Sequence, residues 1–225
     1  MGFLRISWLK NIMQSNPHNN QIIEWIVLTK APVAGFVKTR LIPTLGKQGA
    51  CDLYIQLLTR LENTLKNLVD KTHSQVALWI AGDDQHEAFI PWQSFATFYR
   101  QPNEADLGVR MAMAVQSALA RGRLPVLIGV DVPDLDEAYL INCTQQLESH
   151  ELVISPAEDG GYGLLGMKQF YAELFEGKIW GTDSVFEKTK KDLDALRLKV
   201  AYLPRVWDVD EPADAKRWLQ AKRLF

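Results

Sequence analysis

The sequence predicts an α/β fold: a mostly parallel sheet covered by helices on both faces. Three observations carry this. Apolar runs of strand length recur along the chain, stripes of helical period separate them, and the run at residues 124–130 (LPVLIGV) is apolar almost throughout, as a strand covered on both sides must be.

Residues 22–28 form the first β-rich run, closed by a loop holding Lys30, Pro32 and Gly35. Ala50, Leu53, Tyr54, Leu57, Leu58, Leu61, Leu65 and Leu68 then step by three and four, the stripe of a long helix. Strands are expected at Gln75–Ala81 and Ala96–Arg100, followed by a helix over Leu107–Ala120 with Met111, Ala114, Val115 and Ala118 on one face. After the central strand, Asp134 is placed to cap a helix running to about residue 148, with Glu137 completing the capping box. Further strands fall at 151–155 and 162–167, a helix at 183–196 and a strand at 198–203. The last helix opens with Pro212 in its first turn, where a missing N–H costs nothing.

Residues 1–20 are polar toward their end and are expected to be a flexible lead-in, with Met13 a conceivable start; residues 21–225 are read as one domain. Arg5 and Lys10 interrupt the apolar stretch before it reaches signal-peptide length. Of 225 residues, 47% are hydrophobic and 23% charged, enough to build a core without disulfide staples. The net charge of −2 gives no general basic field, so neither a nucleic-acid nor a membrane partner is expected. No apolar run approaches the roughly 18 residues of a membrane span. Cys51 and Cys143 fall in helical patterns and are read as buried, reduced thiols of a cytoplasmic protein.

In an open α/β sheet, ligands bind beyond the carboxyl ends of the strands. The loop after the first strand is cationic there, with Lys30, Lys38 and Arg40 around Gly35 and other small residues. Small residues let backbone N–H groups approach phosphate oxygens, while arginine grips bidentately and lysine acts as a point charge. Three other loops are anionic: Asp131 and Asp134 after the central strand, Glu158 and Asp159 after the next, and Asp208 with Asp210 after the last. Asp131 stands on a stiff mount, and Asp208 and Asp210 alternate so that both can face one side. Cations facing carboxylates in this way fit a Mg2+ (or Mn2+) and polyphosphate site, one or two of the carboxylates serving as ligands. Asp134 and Asp210 also read as helix caps.

Two motifs are rejected. Val37-Lys38-Thr39 lacks the glycines of a P-loop, since Val37 and Pro32 stand in their places. Gly161–Gly166 matches G-x-G-x-x-G but leads into a strand rather than a helix. The four histidines share no metal spacing, no G-x-S-x-G elbow is present, and the tryptophans read as packing groups, one of them free to line a pocket.

Five segments in order resemble a known family: residues 30–41 (KAPVAGFVKTRL), 106–111 (DLGVRM), 129–135 (GVDVPDL), 155–166 (SPAEDGGYGLLG) and 207–214 (WDVDEPAD). The chain resembles the bacterial glycosyltransferase-like proteins of domain of unknown function 2064, related to 2-phospho-L-lactate guanylyltransferases. The resemblance spans about residues 22–220 and implies a GT-A-type, nucleotide-diphospho-sugar transferase fold, an α/β/α sandwich. It implies that Lys30, Gly35, Lys38 and Arg40 form the phosphate loop, with Gly108 and Arg110 near the nucleotide. Asp131, Asp208 and Asp210 match metal-site positions; Glu158, Asp159, Gly160 and Gly161 match an acceptor loop. The Asp-x-Asp of many sugar transferases is absent, because Val132 and Pro133 follow Asp131.

The expected activity is metal-dependent transfer of a nucleotidyl group from an NTP to a small phosphorylated or hydroxylated acceptor, with Lys38, Asp131 and Asp159 central to catalysis. Glycosyl transfer from a nucleotide sugar is the alternative on the same fold, and a non-catalytic nucleotide sensor the alternative of another class.

Overall fold

The computed structural model describes residues 21–103 and 105–221; the expectations for residues 1–20 lie outside them. The first half runs β1 (Ile23–Lys30), a 3-10 turn (Thr39–Leu41), α1 (Ile42–Thr72), β2 (Gln75–Ala81), a 3-10 stretch (Glu87–Ser94), β3 (Ala96–Arg100) and α2 (Leu107–Ala120). The second half runs β4 (Leu124–Ile128), α3 (Glu137–Ser149), β5 (Leu152–Pro156), β6 (Tyr162–Met167), a 3-10 turn (Ala172–Leu174), α4 (Val185–Leu196), β7 (Val200–Tyr202) and α5 (Pro212–Ala221).

The strands form one sheet in the order β3-β2-β1-β4-β6-β5-β7. Pairs β1–β2, β1–β4, β2–β3 and β5–β7 are parallel, while β6 runs antiparallel to both neighbours. From β1 the chain builds outward to β2 and β3, then returns to place β4 on the other side. The strand order therefore reverses between β1 and β4, where a crevice opens at their carboxyl ends.

Alternation along the strands feeds two cores. Trp25 and Val27 join Leu57, Leu61 and Leu65 of α1, Leu140 of α3 and Trp218 of α5. Ile26 and Leu127 face the other way, toward Met111, Ala114 and Val115 of α2 and Leu193 of α4. Three layers result, as the sequence predicts.

Differences in detail have physical causes. Gly46 (φ 71°) breaks α1 near its start, so the leucine stripe belongs to the longer piece that follows. The cap of α3 is Asp136, which accepts from the Tyr139 N–H at 2.8 Å, and not Asp134. Asp134 instead accepts from the Trp207 backbone N–H at 3.3 Å and from its indole N–H at 3.1 Å. At α5, Asp214 caps by accepting from the N–H groups of Glu211 (2.8 Å) and Asp210 (3.3 Å), so the Asp210 carboxylate is not used as the cap. The second motif set aside on sequence lies on β6. There a Cβ on Gly163 would meet Val206 at 2.7 Å, so the glycine serves close packing and not a phosphate.

The loop between β5 and β6 is pinned by Gly160, at φ 87° with Asp183 so near that an added Cβ would lie 2.2 Å from its carbonyl oxygen. Gly160→Ala should therefore cost on the order of 2–4 kcal/mol in chemical denaturation. Gly177→Ala, at φ 63° with open space around it, should cost only about 1 kcal/mol. Equal losses for the two would contradict this account of the loop.

Candidate active site

The crevice between β1 and β4 is spanned by one side chain. Lys38 follows β1 in the left-handed region (φ 45°, ψ 46°), a conformation that costs a non-glycine residue about 1–2 kcal/mol. Its ammonium donates to Asp131 Oδ2 at 2.5 Å and to Asp210 Oδ1 at 3.4 Å, with the side chain only 6% exposed. Burial would drive this ammonium down, but the charges and hydrogen bonds of Asp131 and Asp210 outweigh it and hold Lys38 above its ordinary value. Burial likewise opposes ionisation of Asp131, and Lys38 again wins, keeping that carboxyl below its usual range. Arg40 donates to Asp210 Oδ2 at 2.6 Å from a more exposed position.

The acidic segment after β7 is held against the loops that follow β4 and β5 by main-chain bonds. Val209 N–H donates to the Asp131 carbonyl at 2.9 Å, and Glu158 N–H to that of Val206 at 2.9 Å. Val209 is buried between the two half-buried acids Asp208 and Asp210. Asp208 has no hydrogen-bond or ion-pair partner among the described residues. Burial, then the Asp131 and Asp159 charges and finally Asp210, push its carboxyl up to about 7, against partial relief from Lys38.

Two lobes meet along this ion cluster. One, about 350 Å³, is lined by Lys30, Phe36, Lys38, Arg40, Gln101 and Arg110 on its cationic side. The other, about 360 Å³, is lined by Asp159, Gly161, Tyr162, Trp180, Thr182 and Asp208. Asp131, Asp210, Gly129 and Leu107 border both.

The structure thus brings Lys30, Lys38, Arg40, Arg110, Asp131, Asp159, Gly161, Asp208 and Asp210 to one cleft. Arg110 braces it, donating to the Ala105 carbonyl (2.7 Å) and to Gln101 Oε1 (3.2 Å). Gly35, at φ 90°, turns the loop beside the Lys47 stem. Three expected residues are not brought to the cleft. Gly108 is buried, where a Cβ would lie 2.2 Å from the Phe175 carbonyl and 2.7 Å from Trp180 Nε1. Glu158 turns away to accept from Arg217 at 2.9 Å, and Gly160 serves the loop rather than a ligand.

Sequence reasoning missed Phe36, Tyr54 and Gln101, and left open which tryptophan lines the pocket; it is Trp180. Phe36 is 74% exposed at the rim of the cationic lobe. The Tyr54 hydroxyl accepts from Lys30 N–H (3.1 Å) and shares a hydrogen bond with Thr29 Oγ1 (2.7 Å), fixing the end of β1. Gln101 donates to the Thr29 and Trp79 carbonyls, each at 2.8 Å. The residue order Gln101-Pro102-Asn103 after a short strand was the available signal for Gln101.

The carboxylates fit a hard divalent cation in a limited way. No group of three or more metal-ligating side chains forms a cage among the described residues. An unpaired carboxylate at Asp208, held among three others, is nevertheless the environment that a cation relieves. An ion here would take one or two carboxylates and leave its remaining positions to water and ligand phosphates, as Mg2+ prefers.

The profile of a family described as uncharacterized proteins conserved in bacteria (DUF2064) matches residues 64–182, over half of the chain. The chain belongs to the DUF2064 family. No curated protein matches it. Among solved structures, this DUF2064 protein is similar to a candidate nucleotide-diphospho-sugar transferase from Desulfovibrio desulfuricans G20, at 29% identity and TM-score 0.72, covering 84% of this chain and 82% of that one. It is also similar to 4-diphosphocytidyl-2C-methyl-D-erythritol synthase from Anaerococcus prevotii DSM 20548 (11% identity, TM-score 0.58, 90% and 100% covered). The inositol-1-phosphate CTP transferase of T. maritima is a third (14%, TM-score 0.53, 87% and 92% covered). The last two establish likeness of fold. The nucleotide-diphospho-sugar transferase fold expected from the motifs is the fold observed. Among the described residues no helix is long and apolar enough to cross a membrane.

The raised Asp208 carboxyl has a consequence for stability. A carboxyl whose folded value lies near 7 favours the folded state below its ordinary range near 4, and that contribution is lost as pH rises through 7. In metal-free protein at pH 8, Asp208→Asn should add about 1 kcal/mol once partial exposure is allowed for, a rise of roughly 2–4 °C in Tm. Near pH 4 the gain should vanish. A Tm unchanged at pH 8, or raised equally at both pH values, contradicts this assignment.

Proposed function

We propose that this DUF2064 protein is a metal-assisted nucleotidyltransferase that lays an NTP across the β1–β4 crevice and joins its nucleotidyl group to a small acceptor. The observation that carries the reading is the Lys38 ammonium bonded to both Asp131 and Asp210, which joins a cationic lobe to an anionic one in a single cleft. A cationic lobe with Lys30, Lys38 and Arg40 suits a triphosphate. Solved relatives of the same fold include transferases named for CTP and diphosphocytidyl chemistry.

In this reading Lys30 and Arg40 hold the β- and γ-phosphates, and Lys38 steadies the charge that develops on the leaving pyrophosphate. The acceptor lies in the second lobe, oriented by Asp159. An acceptor oxygen bonds to the α-phosphorus, the bond to the bridging oxygen breaks, and pyrophosphate departs toward the cationic lobe. A divalent ion, Mg2+ or Mn2+, held by Asp131 with Asp208 or Asp210 would supply neutralisation of the phosphate charges. Manganese accompanies a glucosyl-3-phosphoglycerate synthase of similar fold from Mycobacterium tuberculosis, at 13% identity. The likeness to the Desulfovibrio protein favours a second reading, glycosyl transfer from a nucleotide sugar in the same cleft.

Calorimetry with the four NTPs and Mg2+ tests this directly. Wild type should bind at least one, and Lys38→Ala with Arg40→Ala should weaken it at least about 30-fold, the worth of two charge-assisted contacts. Asp131→Asn should keep its fold and lose pyrophosphate release by at least about 100-fold. Absence of NTP binding, or equal binding by the double variant, contradicts the proposal. Release of a nucleoside diphosphate from a nucleotide sugar, without pyrophosphate from any NTP, assigns the second reading instead.

A further inference from the structure

The lobe beyond Lys38 has a charge and a wall that select its occupant. Asp131, Asp159, Asp208 and Asp210 line it, and among the described residues no lysine, arginine or histidine does. Basic side chains of the flanking segments are committed elsewhere. Lys178 is fully buried, donating to Asp192 Oδ2 (2.9 Å) and the Glu173 carbonyl (2.7 Å). Lys188 bonds Asp192 at 2.5 Å, and Arg217 bonds Glu158 at 2.9 Å while stacking over Trp207. Among the described residues two cations reach the boundary, and both are committed: the Lys38 ammonium is shared by Asp131 and Asp210, and Arg40 donates to Asp210 Oδ2 at 2.6 Å. Four carboxylates against these two cations leave negative charge in excess, and one divalent ion would only balance it, with no positive charge left over.

The facing wall is apolar and aromatic. Trp180 and Tyr162 meet edge to face at 6.4 Å, beside Met111 and Leu107. Tyr162 is half-buried at the lobe wall, and among the described residues its hydroxyl donates to Met111 Sδ at 3.8 Å, a weak acceptor, while its oxygen accepts no hydrogen bond. An anionic acceptor would find no uncommitted side-chain cation here; an alcohol or amino alcohol with an apolar body would find carboxylates for its polar end and ring faces for the rest.

We propose that the second lobe accepts a neutral or cationic hydroxyl compound and excludes phosphorylated and carboxylated acceptors. This rests on the reading of the cleft as a nucleotidyltransferase site and narrows it. The acceptor hydroxyl oxygen bonds to the α-phosphorus, the bond to pyrophosphate breaks, and the hydroxyl proton passes to a carboxylate of the lobe. Asp159 is placed for this: it holds no ion pair, and its Oδ1 accepts only the Gly161 N–H, at 2.8 Å.

Quenching of Trp180 emission, taken as wild type minus Trp180→Phe at constant ionic strength, reads the sign of the lobe. With each ion normalised to free N-acetyltryptophanamide, caesium should quench at least threefold more than iodide; a ratio at or below one overturns the proposal. In parallel, pyrophosphate release with NTP and Mg2+ is compared for glycerol against glycerol phosphate and for ethanolamine against phosphoethanolamine. The unphosphorylated member should be at least tenfold faster, and a faster phosphorylated member overturns the proposal. Where neither member is turned over, the quenching ratio decides. Failure of the nucleotide reading shows separately, as loss of NTP binding in calorimetry with the caesium preference intact.

Discussion

A lysine ammonium almost sealed from solvent, sharing its charge between Asp131 and Asp210, is the constraint around which this cleft is built. Removing one partner from such a pair leaves a desolvated charge unsatisfied, which costs more than the pair contributes when intact. The backbone of Lys38 accepts a left-handed conformation to deliver that ammonium. The strain is tolerable because the two carboxylates hold the side chain from the far side, and the buried Val37 and Leu41 anchor the loop around it. The loop after β1, the end of β4 and the segment before α5 are thereby fixed to one another. They are distant in sequence and adjacent because the strand order reverses between β1 and β4.

From that anchor the electrostatics divide in two. Lys30 and Arg40 extend positive charge to one side, and Asp159 and Asp208 extend negative charge to the other. The two lobes thus differ in sign, and Lys38 stands on the boundary between them. The cluster also explains why Asp208 is the strained member: Lys38 and Arg40 satisfy its neighbours and leave it desolvated among like charges. An unsatisfied carboxylate of this kind costs stability, and a bound cation would relieve it.

Much of the fold was legible because burial writes itself into periodicity. Gln75–Ala81, Ala96–Arg100, Leu107–Ala120 and Tyr162–Met167 carry patterns that survive any tertiary context. Strand direction leaves no such mark, so the reversal of β6 was invisible. Capping was ambiguous for a similar reason. Asp134 and Asp136 are alike as local signals, and the choice is made by Trp207, 73 residues from Asp134, whose indole claims the first of them. At the site, charged residue types after strands located Lys38, Asp131, Asp208 and Asp210. Which carboxylates Lys38 bridges, and that Glu158 would be drawn off by Arg217, depend on partners far along the chain. Gly108 was misplaced because a glycine opening a helix reads the same whether its missing Cβ makes room for a ligand or for Phe175 and Trp180.

The claim on which all of this turns is energetic coupling across the β1–β4 crevice, and a double-mutant cycle measures it without reference to any ligand. Lys38→Met, Asp131→Asn and the double variant, unfolded in denaturant beside wild type, should show a coupling of at least about 1.5 kcal/mol, with the double variant less damaged than the sum of the singles. Additivity within about 0.5 kcal/mol would mean that the two side chains act independently, and that the cleft is not organised around their pairing.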